Sequence, residues 1–306
     1  MDQAFDIAAR RDIRAALART SFAKDSFRLV DGDMRGFDWL VATHRGLFAV
    51  SDTGPKLVAH GWFFGLRASG TALYLFENCA LRQRDAMLGR LLRLDLHDGQ
   101  VVAHHVLAKG LHPNCHQLAI IGDVICLLDT ANQAILRFTL DGTPLSALTP
   151  FGAAQNTDTS GAYHHINAIA EIAGRIAVLL HNGKVLPERS SQIAWFDHDW
   201  TETGRDALHG RMCHDLVTDP AGTLWYCGSL DGDIVSERGQ RVHVADDYLT
   251  RGLAFGQDMV AVGYSSFGPR HIRDGLRGGV AIMDRAFKTI KRFDLDGPPT
   301  EITPIR

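Results

Sequence analysis

The sequence predicts an all-β protein built as a six-bladed β-propeller and preceded by an amphipathic helix. Three observations indicate this fold class. A short segment occurs four times, at intervals of 37 to 49 residues. From residue 27 onward, β-rich runs broken by Gly, Asp and Pro follow one another about every eight to twelve residues. One strand-like segment is left over at the C-terminus, where it can close a ring of sheets.

The recurring segment reads CHQLA at 115–119, HHINA at 164–168, CHDLV at 213–217 and TRGLA at 250–254. Its second position holds His116, His165, His214 and Arg251, so the spacings are 49, 49 and 37 residues. Periods of this size are typical of units of about four strands. Because each unit places a polar side chain at the same point, we expect these residues to surround the symmetry axis.

The composition is that of a soluble globular protein of 306 residues, 45% hydrophobic and 22% charged. A net charge of −3 without a basic run argues against nucleic acid or membrane as partner and favours a small-molecule substrate. Five cysteines without a close pair predict neither a disulfide framework nor a zinc knuckle. With no apolar leader and no long apolar run, a reducing, cytoplasmic location is expected. The oligomeric state stays open.

Residues 1–26 are predicted to form a helical extension and residues 27–306 a single propeller domain. Within residues 3–20, Phe5, Ile13 and Leu17 recur at helical intervals among good helix formers. The helix is expected to pack on the outside of the propeller. A flexible leader is the alternative.

Most predicted blades consist of four strands. By blade, the strands are 38–43, 46–51 and 56–60; 64–70, 72–77, 90–96 and 101–106; 116 onward, 124–129, 134–140 and 144–148; 165 onward, 175–181, 192–197 and 205–209; 214 onward, 223–227, 233–236 and 240–244; and 251 onward, 259–264, 279–284 and 289–295. The segment 300–306 is left to complete the first blade as its innermost strand, which pairs both open sheet edges. A five-bladed ring is the alternative, with 27–30 as an inner strand of an irregular N-terminal sheet.

The inner strands of a propeller line its central channel, so their first residues converge. His116, His165 and His214 would then come from three adjacent blades, and Arg251 from a fourth. Three neutral imidazoles facing one point suit a divalent metal ion, zinc or iron(II), and leave positions open for water and substrate. A hydrogen-bonding role in the core is the alternative for each histidine.

Further residues at the same end of the channel complete the predicted site. Arg251 is expected to bind an anionic group through its planar guanidinium, and Tyr163 and His164 to move a proton. Asp215 is expected to hydrogen-bond a ligating imidazole. The other predicted substrate contacts are Arg270, His112, Asn114 and His181, and His112 or His164 can also replace one of the three histidines as a ligand.

Residues from about 111 to 306 resemble an uncharacterised bacterial family of soluble β-propellers. The segments that carry the resemblance are HINA at 165–168, LLHN at 179–182, CHDLV at 213–217, WYCGSLDG at 225–232, TRGLA at 250–254, VGYS at 262–265 with Arg270, and PTEI at 299–302. This resemblance implies the fold and no activity.

The polar constellation is also similar to that of peptidyl-α-hydroxyglycine amidating lyases, propellers that hold zinc on channel histidines beside arginine and tyrosine. The corresponding residues would be His116, His165, His214, Arg251 and Tyr163. This similarity concerns the residue types alone.

The sequence therefore predicts a metal-dependent enzyme of the lyase or hydrolase type, acting on a small anionic molecule in the central channel. An iron(II)-dependent oxygenase with the same three histidines is one alternative. A non-catalytic propeller that binds a ligand or peptide is the other. The sequence contains no GxSxG elbow, phosphate-binding glycine loop or HExxH motif, which excludes the commonest hydrolase, nucleotide-binding and zincin classes.

Overall fold

The computed structural model describes residues 27–79, 89–182, 189–246, 248–266 and 276–305. In these ranges 24 strands form six sheets, and the predicted six-bladed propeller is confirmed. The helical structure in the same ranges is one 3₁₀ turn at Ser229–Asp231. Across the described ranges, no helix has the length and apolar character needed to cross a bilayer. The helix predicted at 3–20 lies outside the described residues, so that helix and the boundary at residue 26 stay predictions.

The blades are numbered in chain order, and each follows the same antiparallel pattern. Blade 1 contains β1 (Arg28–Leu29), β2 (Trp39–Thr43), β3 (Gly46–Ser51) and β4 (Gly54–His60). Blade 2 contains β5 (Phe63–Ser69), β6 (Ala72–Asn78), β7 (Gly89–His97) and β8 (Gln100–Leu111). Blade 3 contains β9 (Cys115–Ile121), β10 (Val124–Asp129) and β11 (Ala134–Thr139).

The second half of the ring is more regular. Blade 4 contains β12 (Ile166–Ile172), β13 (Arg175–Leu180), β14 (Gln192–Phe196) and β15 (Glu202–Ala207). Blade 5 contains β16 (His214–Thr218), β17 (Leu224–Gly228), β18 (Asp233–Ser236) and β19 (Arg241–His243). Blade 6 contains β20 (Tyr248–Phe255), β21 (Met259–Ser266), β22 (Gly278–Asp284) and β23 (Thr289–Leu295), after which β24 (Pro299–Pro304) returns to blade 1.

The C-terminal strand closes the ring as the sequence predicted. β24 pairs with β2 and is the innermost strand of blade 1, in the order β1-β4-β3-β2-β24. It also contacts β5 of blade 2 and β20 of blade 6, so the six inner strands form an unbroken circle. The five-bladed alternative is wrong, because β1 pairs with β4 at the outer edge of blade 1 and does not line the channel.

Blade 3 departs from the prediction of a fourth strand at 144–148. Within the described residues this segment forms two isolated bridges, Phe138 to Pro144 and Ile135 to Leu148, in place of a continuous ladder. Pro144 has no N–H to donate, which interrupts the ladder at its start. Ile135 and Leu148 still exchange two backbone hydrogen bonds, of 2.8 and 3.0 Å, so the segment covers the edge of β11.

The hydrophobic core is divided among the six interfaces between neighbouring blades. Each of six buried clusters combines side chains from two adjacent blades. In β2, Trp39 and Val41 pack towards blade 6, whereas Leu40 and Ala42 pack towards blade 2. Because alternate side chains of a strand face opposite sides, a blade in the ring needs apolar residues at consecutive positions. This explains why the strands read as continuous apolar runs.

A β-bulge in the inner strand recurs in every blade. In each, the register between the inner strand and the strand it pairs with shifts at one point, where the inner strand has an extra residue. The shifts fall at Phe64–Gly65, His116–Gln117, Asn167, Asp215–Leu216, Arg251–Gly252 and Thr300. Bulges redirect side chains and are common beside functional sites. Here they include His116 and Arg251 of the repeated column and lie within two residues of His165 and His214.

Candidate functional site

Four imidazoles form a continuous row at the end of the channel where the inner strands begin, which we call the mouth. The ring centroids are 5.7 Å apart for His116 and His165, 4.5 Å for His165 and His181, and 5.2 Å for His181 and His214. The structure thus brings together the three histidines that the sequence assigned to a metal. His181, predicted as a substrate contact, lies within the row between two of them.

Local backbone geometry holds this row in place. His165 directly precedes β12 and has a φ of 54°, in the left-handed region that non-glycine residues seldom adopt. Asp215, at the bulge after His214, has a φ of 62°. Each such residue costs on the order of 1–3 kcal/mol, and these conformations cluster at functional sites. The strain therefore coincides with the residues that place the imidazoles.

Two of the imidazoles are fixed in the same tautomer. His116 Nδ1 lies 2.9 Å from the carbonyl oxygen of Asn114, and His214 Nδ1 lies 2.9 Å from that of Met212. A carbonyl oxygen only accepts, so Nδ1 carries the hydrogen and Nε2 of the neutral ring keeps its lone pair. His214 Nδ1 is also 2.8 Å from Ser229 Oγ, whose hydrogen goes to the carbonyl oxygen of Thr250. A donated Nδ1–H is the usual arrangement of a metal-ligating histidine.

The electrostatics of the mouth favour neutral imidazoles. Burial holds the pKa of His214 well below its usual value, and the positive charge of Arg251 lowers that pKa further, with smaller effects from His181 and His116. Burial likewise lowers the pKa of His164. Neutral imidazole is the form that binds a metal ion. As the side chains stand, however, no three His, Cys, Asp or Glu groups among the described residues are arranged to hold an ion.

The opposite side of the mouth is aromatic, which the sequence reasoning missed. The Phe64 ring lies 5.3 Å from that of His116, 6.0 Å from that of Trp62 and 5.2 Å from that of His44. The Arg251 guanidinium lies 5.5 Å above Phe64. Phe64 stands at the bulge of blade 2, in the position that corresponds to His116 in blade 3. This correspondence is the signal that could have identified Phe64 as a residue of the mouth. Trp62 Nε1 is buried and has no hydrogen-bond acceptor among the described residues.

The two residues predicted to move a proton lie beside the row. The Tyr163 hydroxyl donates to the carbonyl oxygen of Thr130 at 2.7 Å, and its ring centroid is 5.7 Å from that of His165. His164 packs against Phe151, with its Nδ1 3.4 Å from Asn182 Oδ1. Both side chains therefore have local partners, and their catalytic role stays a prediction.

The other predicted substrate contacts are less central. Asn114 donates its backbone N–H to His112 Nδ1 at 3.1 Å, so the two stabilise the turn before β9. Asn114 also holds His116 through its carbonyl oxygen. In the described ranges, His112 makes no ring contact with the imidazole row. Arg270 lies outside the described residues.

A buried polar cluster fills the channel below the mouth. Gln117 Nε2 donates to Glu301 Oε1 at 2.9 Å and to Asp215 Oδ1 at 3.3 Å, and Arg67 Nη1 donates to Glu301 Oε1 at 2.5 Å. Asp215 Oδ2 accepts from the Gly252 N–H at 2.8 Å, so this carboxylate belongs to the channel cluster. The sequence predicted instead a hydrogen bond from Asp215 to a ligating imidazole. Desolvation raises the pKa of Glu301 to about 7 and also raises that of Asp215.

A substitution at Gly263 tests how tightly the bulge at Arg251 packs against β21. A Cβ at this position would lie 2.2 Å from the carbonyl oxygen of Arg251 and 2.7 Å from Pro299 Cβ. We expect Gly263→Ala to lower the free energy of unfolding by about 1–3 kcal/mol through overpacking, measured by urea denaturation. Gly204→Ala is the matched control, because a Cβ there meets nothing within 4 Å and the expected change is below about 0.5 kcal/mol. Equal effects of the two substitutions would contradict the tight bulge.

Comparisons with known proteins support the assignment of the fold. No protein-family model matches this sequence, and no curated protein matches it. The chain is similar in structure to a chain of the nidogen/laminin complex, with a TM-score of 0.61 and 15% identity over 89% of this chain and 99% of that one. A protein of unknown function from Bacteroides caccae gives a TM-score of 0.57 and 12% identity over 88% and 99%.

A streptogramin B lyase gives a lower TM-score of 0.44, with 12% identity over 85% of this chain and 74% of that one. At identities this low, structural similarity establishes the fold alone. The resemblance to a bacterial propeller family stays a prediction, and no similarity to amidating lyases is shown. The comparisons thus show that the chain is a β-propeller.

Proposed function

We propose that the protein is a metal-dependent enzyme of the lyase or hydrolase type that acts on a small anionic molecule at the mouth. The proposed ligands are His116, His165 and His214, and the proposed ion is zinc or iron(II). The observation that carries this proposal is the row of imidazoles with ring centroids 4.5 to 5.7 Å apart. His116 and His181 are buried and His165 and His214 half-buried, and imidazole is a common ligand of zinc and iron(II).

The fixed tautomers support this assignment. His116 and His214 each donate Nδ1–H to a backbone carbonyl oxygen and so keep Nε2 available as a ligand atom. The low pKa of His214 has the same consequence. Its Nε2 carries no proton near neutral pH, so an ion has none to displace there. Binding requires the rings to turn from their present orientation towards one point. His181 lies within the row and is therefore the candidate to replace one of the three ligands.

The chain's own residues supply the remaining functions. Arg251 lies at the mouth close enough to lower the pKa of His214, and its guanidinium is suited to a carboxylate or phosphate group. Phe64 and Trp62 provide an apolar wall against which the rest of the substrate packs. His164 or Tyr163 moves the proton, and Arg251 holds the reacting molecule in position. When bound, the ion polarises an oxygen or activates a water molecule.

A non-catalytic binding function is the second candidate. The observation that favours it is the aromatic wall of Phe64 and Trp62 beside Arg251, which suits an anion with a planar apolar part without any metal. Trp62 Nε1 then supplies a buried donor to the ligand.

An iron(II)-dependent oxygenase uses the same three histidines as the metal-dependent lyase or hydrolase, and the identity of the ion separates the two.

Metal content measured by mass spectrometry tests the proposal. Wild-type protein reconstituted with zinc, or with iron(II) under anaerobic conditions, is expected to keep about one ion per chain after gel filtration. His165→Ala and His214→Ala should each weaken binding at least about tenfold, since a ligand is lost. His97→Ala is the control, because that side chain is 79% exposed and far from the mouth.

Spectroscopy provides an independent readout. Cobalt(II) bound by three imidazoles should show visible absorption bands that change in the His165→Ala variant. A metal-free wild-type protein whose stability does not respond to chelation would contradict the metal proposal and favour the non-catalytic function.

A further inference from the structure

The end of the channel opposite the mouth opens into a separate space, which we call the lower cavity. It has a volume of about 340 Å³ and is lined by residues of all six inner strands. These residues lie towards the C-terminal ends of the strands, whereas the imidazole row lies where the strands begin. The cluster of Gln117, Asp215 and Glu301 lies between the two. The lower cavity therefore shares no residue with the proposed metal site.

Short side chains account for the space, and most of the lining is apolar. Alanine lines the cavity in four of the six inner strands, at Ala68, Ala119, Ala170 and Ala254. Larger apolar side chains, including Phe255, complete the wall. The volume lies in the range of about 300–1,000 Å³ that small-molecule sites occupy. An apolar wall of this kind favours a ligand with an apolar body.

Arg67 supplies a positively charged anchor at the inner end of this cavity. Its side chain is 21% exposed, and it both lines the cavity and pairs with Glu301. Its hydrogen bonds to the described residues all come from Nη1, to the carbonyl oxygen of Leu66 at 3.0 Å and to Glu301 Oε1. Nε and Nη2 therefore remain as donors for a ligand, and a guanidinium matches an anionic oxygen pair.

We propose that the lower cavity is a second binding site, for a small amphipathic molecule whose apolar body contacts the alanine-lined wall and whose anionic group contacts Arg67. The charge around Arg67 agrees with this. Desolvation raises the pKa of Glu301 to about 7, so near neutral pH this partner compensates the arginine only in part. Glu171, the other charged residue of the lining, is more exposed and lies 3.5 Å from His198. Solvent screens a charge in that position.

Two fluorescent dyes test the proposal. Anilinonaphthalene sulfonate has an apolar body and one anionic group, and N-phenyl-1-naphthylamine has the same body without the charge. The lower cavity of the folded protein is expected to bind one sulfonate dye, at least about tenfold more tightly than the neutral dye. Arg67→Gln should remove that preference. Ala170→Trp and Ala68→Trp fill the cavity and should each weaken sulfonate binding at least about tenfold.

The controls separate this site from the mouth and from unfolding. Ala68 is exposed where it lines the cavity, so we expect its substitution by tryptophan to preserve the fold even where Ala170→Trp does not. Ala207→Trp, on the exposed strand β15, should bind the dye as wild type does. Near-ultraviolet circular dichroism checks that each variant is folded. Unchanged dye binding in both cavity-filling variants, or equal affinity of wild type for the two dyes, would overturn the proposal. Neither result depends on metal binding at the mouth.

Discussion

Removal of residues 297–306 is expected to abolish the cooperative unfolding transition of the protein. These residues contain β24, the innermost strand of blade 1, whose Thr300, Glu301, Ile302 and Thr303 are at most 6% exposed. Without β24, β2 loses its ladder partner and the inner strands of blades 2 and 6 lose their shared neighbour. An unpaired inner edge leaves buried N–H and C=O groups without partners, each costing about 1–3 kcal/mol. Summed over the five residues of β2 that pair with β24, this cost is comparable to the whole stability of a typical domain, about 5–15 kcal/mol.

Complementation in trans distinguishes ring closure from a general effect of truncation. A synthetic peptide of residues 297–306 should restore the urea transition and the near-ultraviolet circular dichroism of the truncated chain, in proportion to its occupancy. A peptide of the same composition in scrambled order should not, because the pairing of Leu40 with Thr303 and of Val41 with Ile302 is lost. An unchanged transition midpoint in the truncated chain alone would contradict the role of β24.

Most of the fold was predictable because its information is local and repeated. The column of His116, His165, His214 and Arg251 marks the start of four inner strands, so its spacing counts blades directly. The left-over C-terminal strand then has one place to go, the open edge of the first blade. The exception was the segment 144–148, which is apolar enough for a strand. Pro144 prevents a continuous ladder there, and an outer edge tolerates that loss.

The candidate site was predictable only in part, because bulges decide where its side chains lie. Alignment of the internal repeats predicts that His116, His165 and His214 converge. In the structure their rings lie in one row at the mouth. His181 directly follows the second strand of its blade, and the sequence places it at the same end of the channel, as a substrate contact. Its position between His165 and His214 in the row depends on the closed ring and was not predicted. Phe64 is apolar where its counterparts in four other blades are polar. Because the repeat is recognisable by a polar residue at this position, the sequence of blade 2 does not mark Phe64 as a member of the column.

The channel cluster was hidden for a different reason. Gln117, Asp215 and Glu301 come from three blades that are not neighbours in the ring, and they differ in residue type. In blades 2 and 6 the positions that correspond to Gln117 are Gly65 and Gly252, which contribute no side chain to the channel. Contacts across a channel depend on which side chains reach its axis. That is a property of the closed ring and has no signature in any single repeat.

Arg67→Met is expected to lower the free energy of unfolding by about 3–5 kcal/mol above pH 8, because it leaves the buried carboxylate of Glu301 without its counter-ion. The cost should be smaller near pH 5.5. In the wild-type protein the pKa of Glu301 is about 7 when folded, against an ordinary value of 4.5, so the folded state binds the proton more tightly. Its contribution to stability is therefore greatest at low pH and is lost as the pH rises from 4.5 through about 7.

Loss of the arginine should move that decline to higher pH, since the positive charge that favoured ionisation is gone. Urea denaturation of wild type and variant between pH 5 and 9 measures the difference. Replacing the acid as well, in Arg67→Met with Glu301→Gln, should make the cost of the arginine substitution independent of pH, because no ionisable group remains at position 301. The slope that remains in the double variant belongs to the other groups with shifted pKa values, among them Asp215, whose pKa burial raises, and His214, whose pKa burial lowers. A cost of Arg67→Met that is the same at pH 5.5 and 8.5 would mean that the arginine contributes packing alone, as its aliphatic stem can.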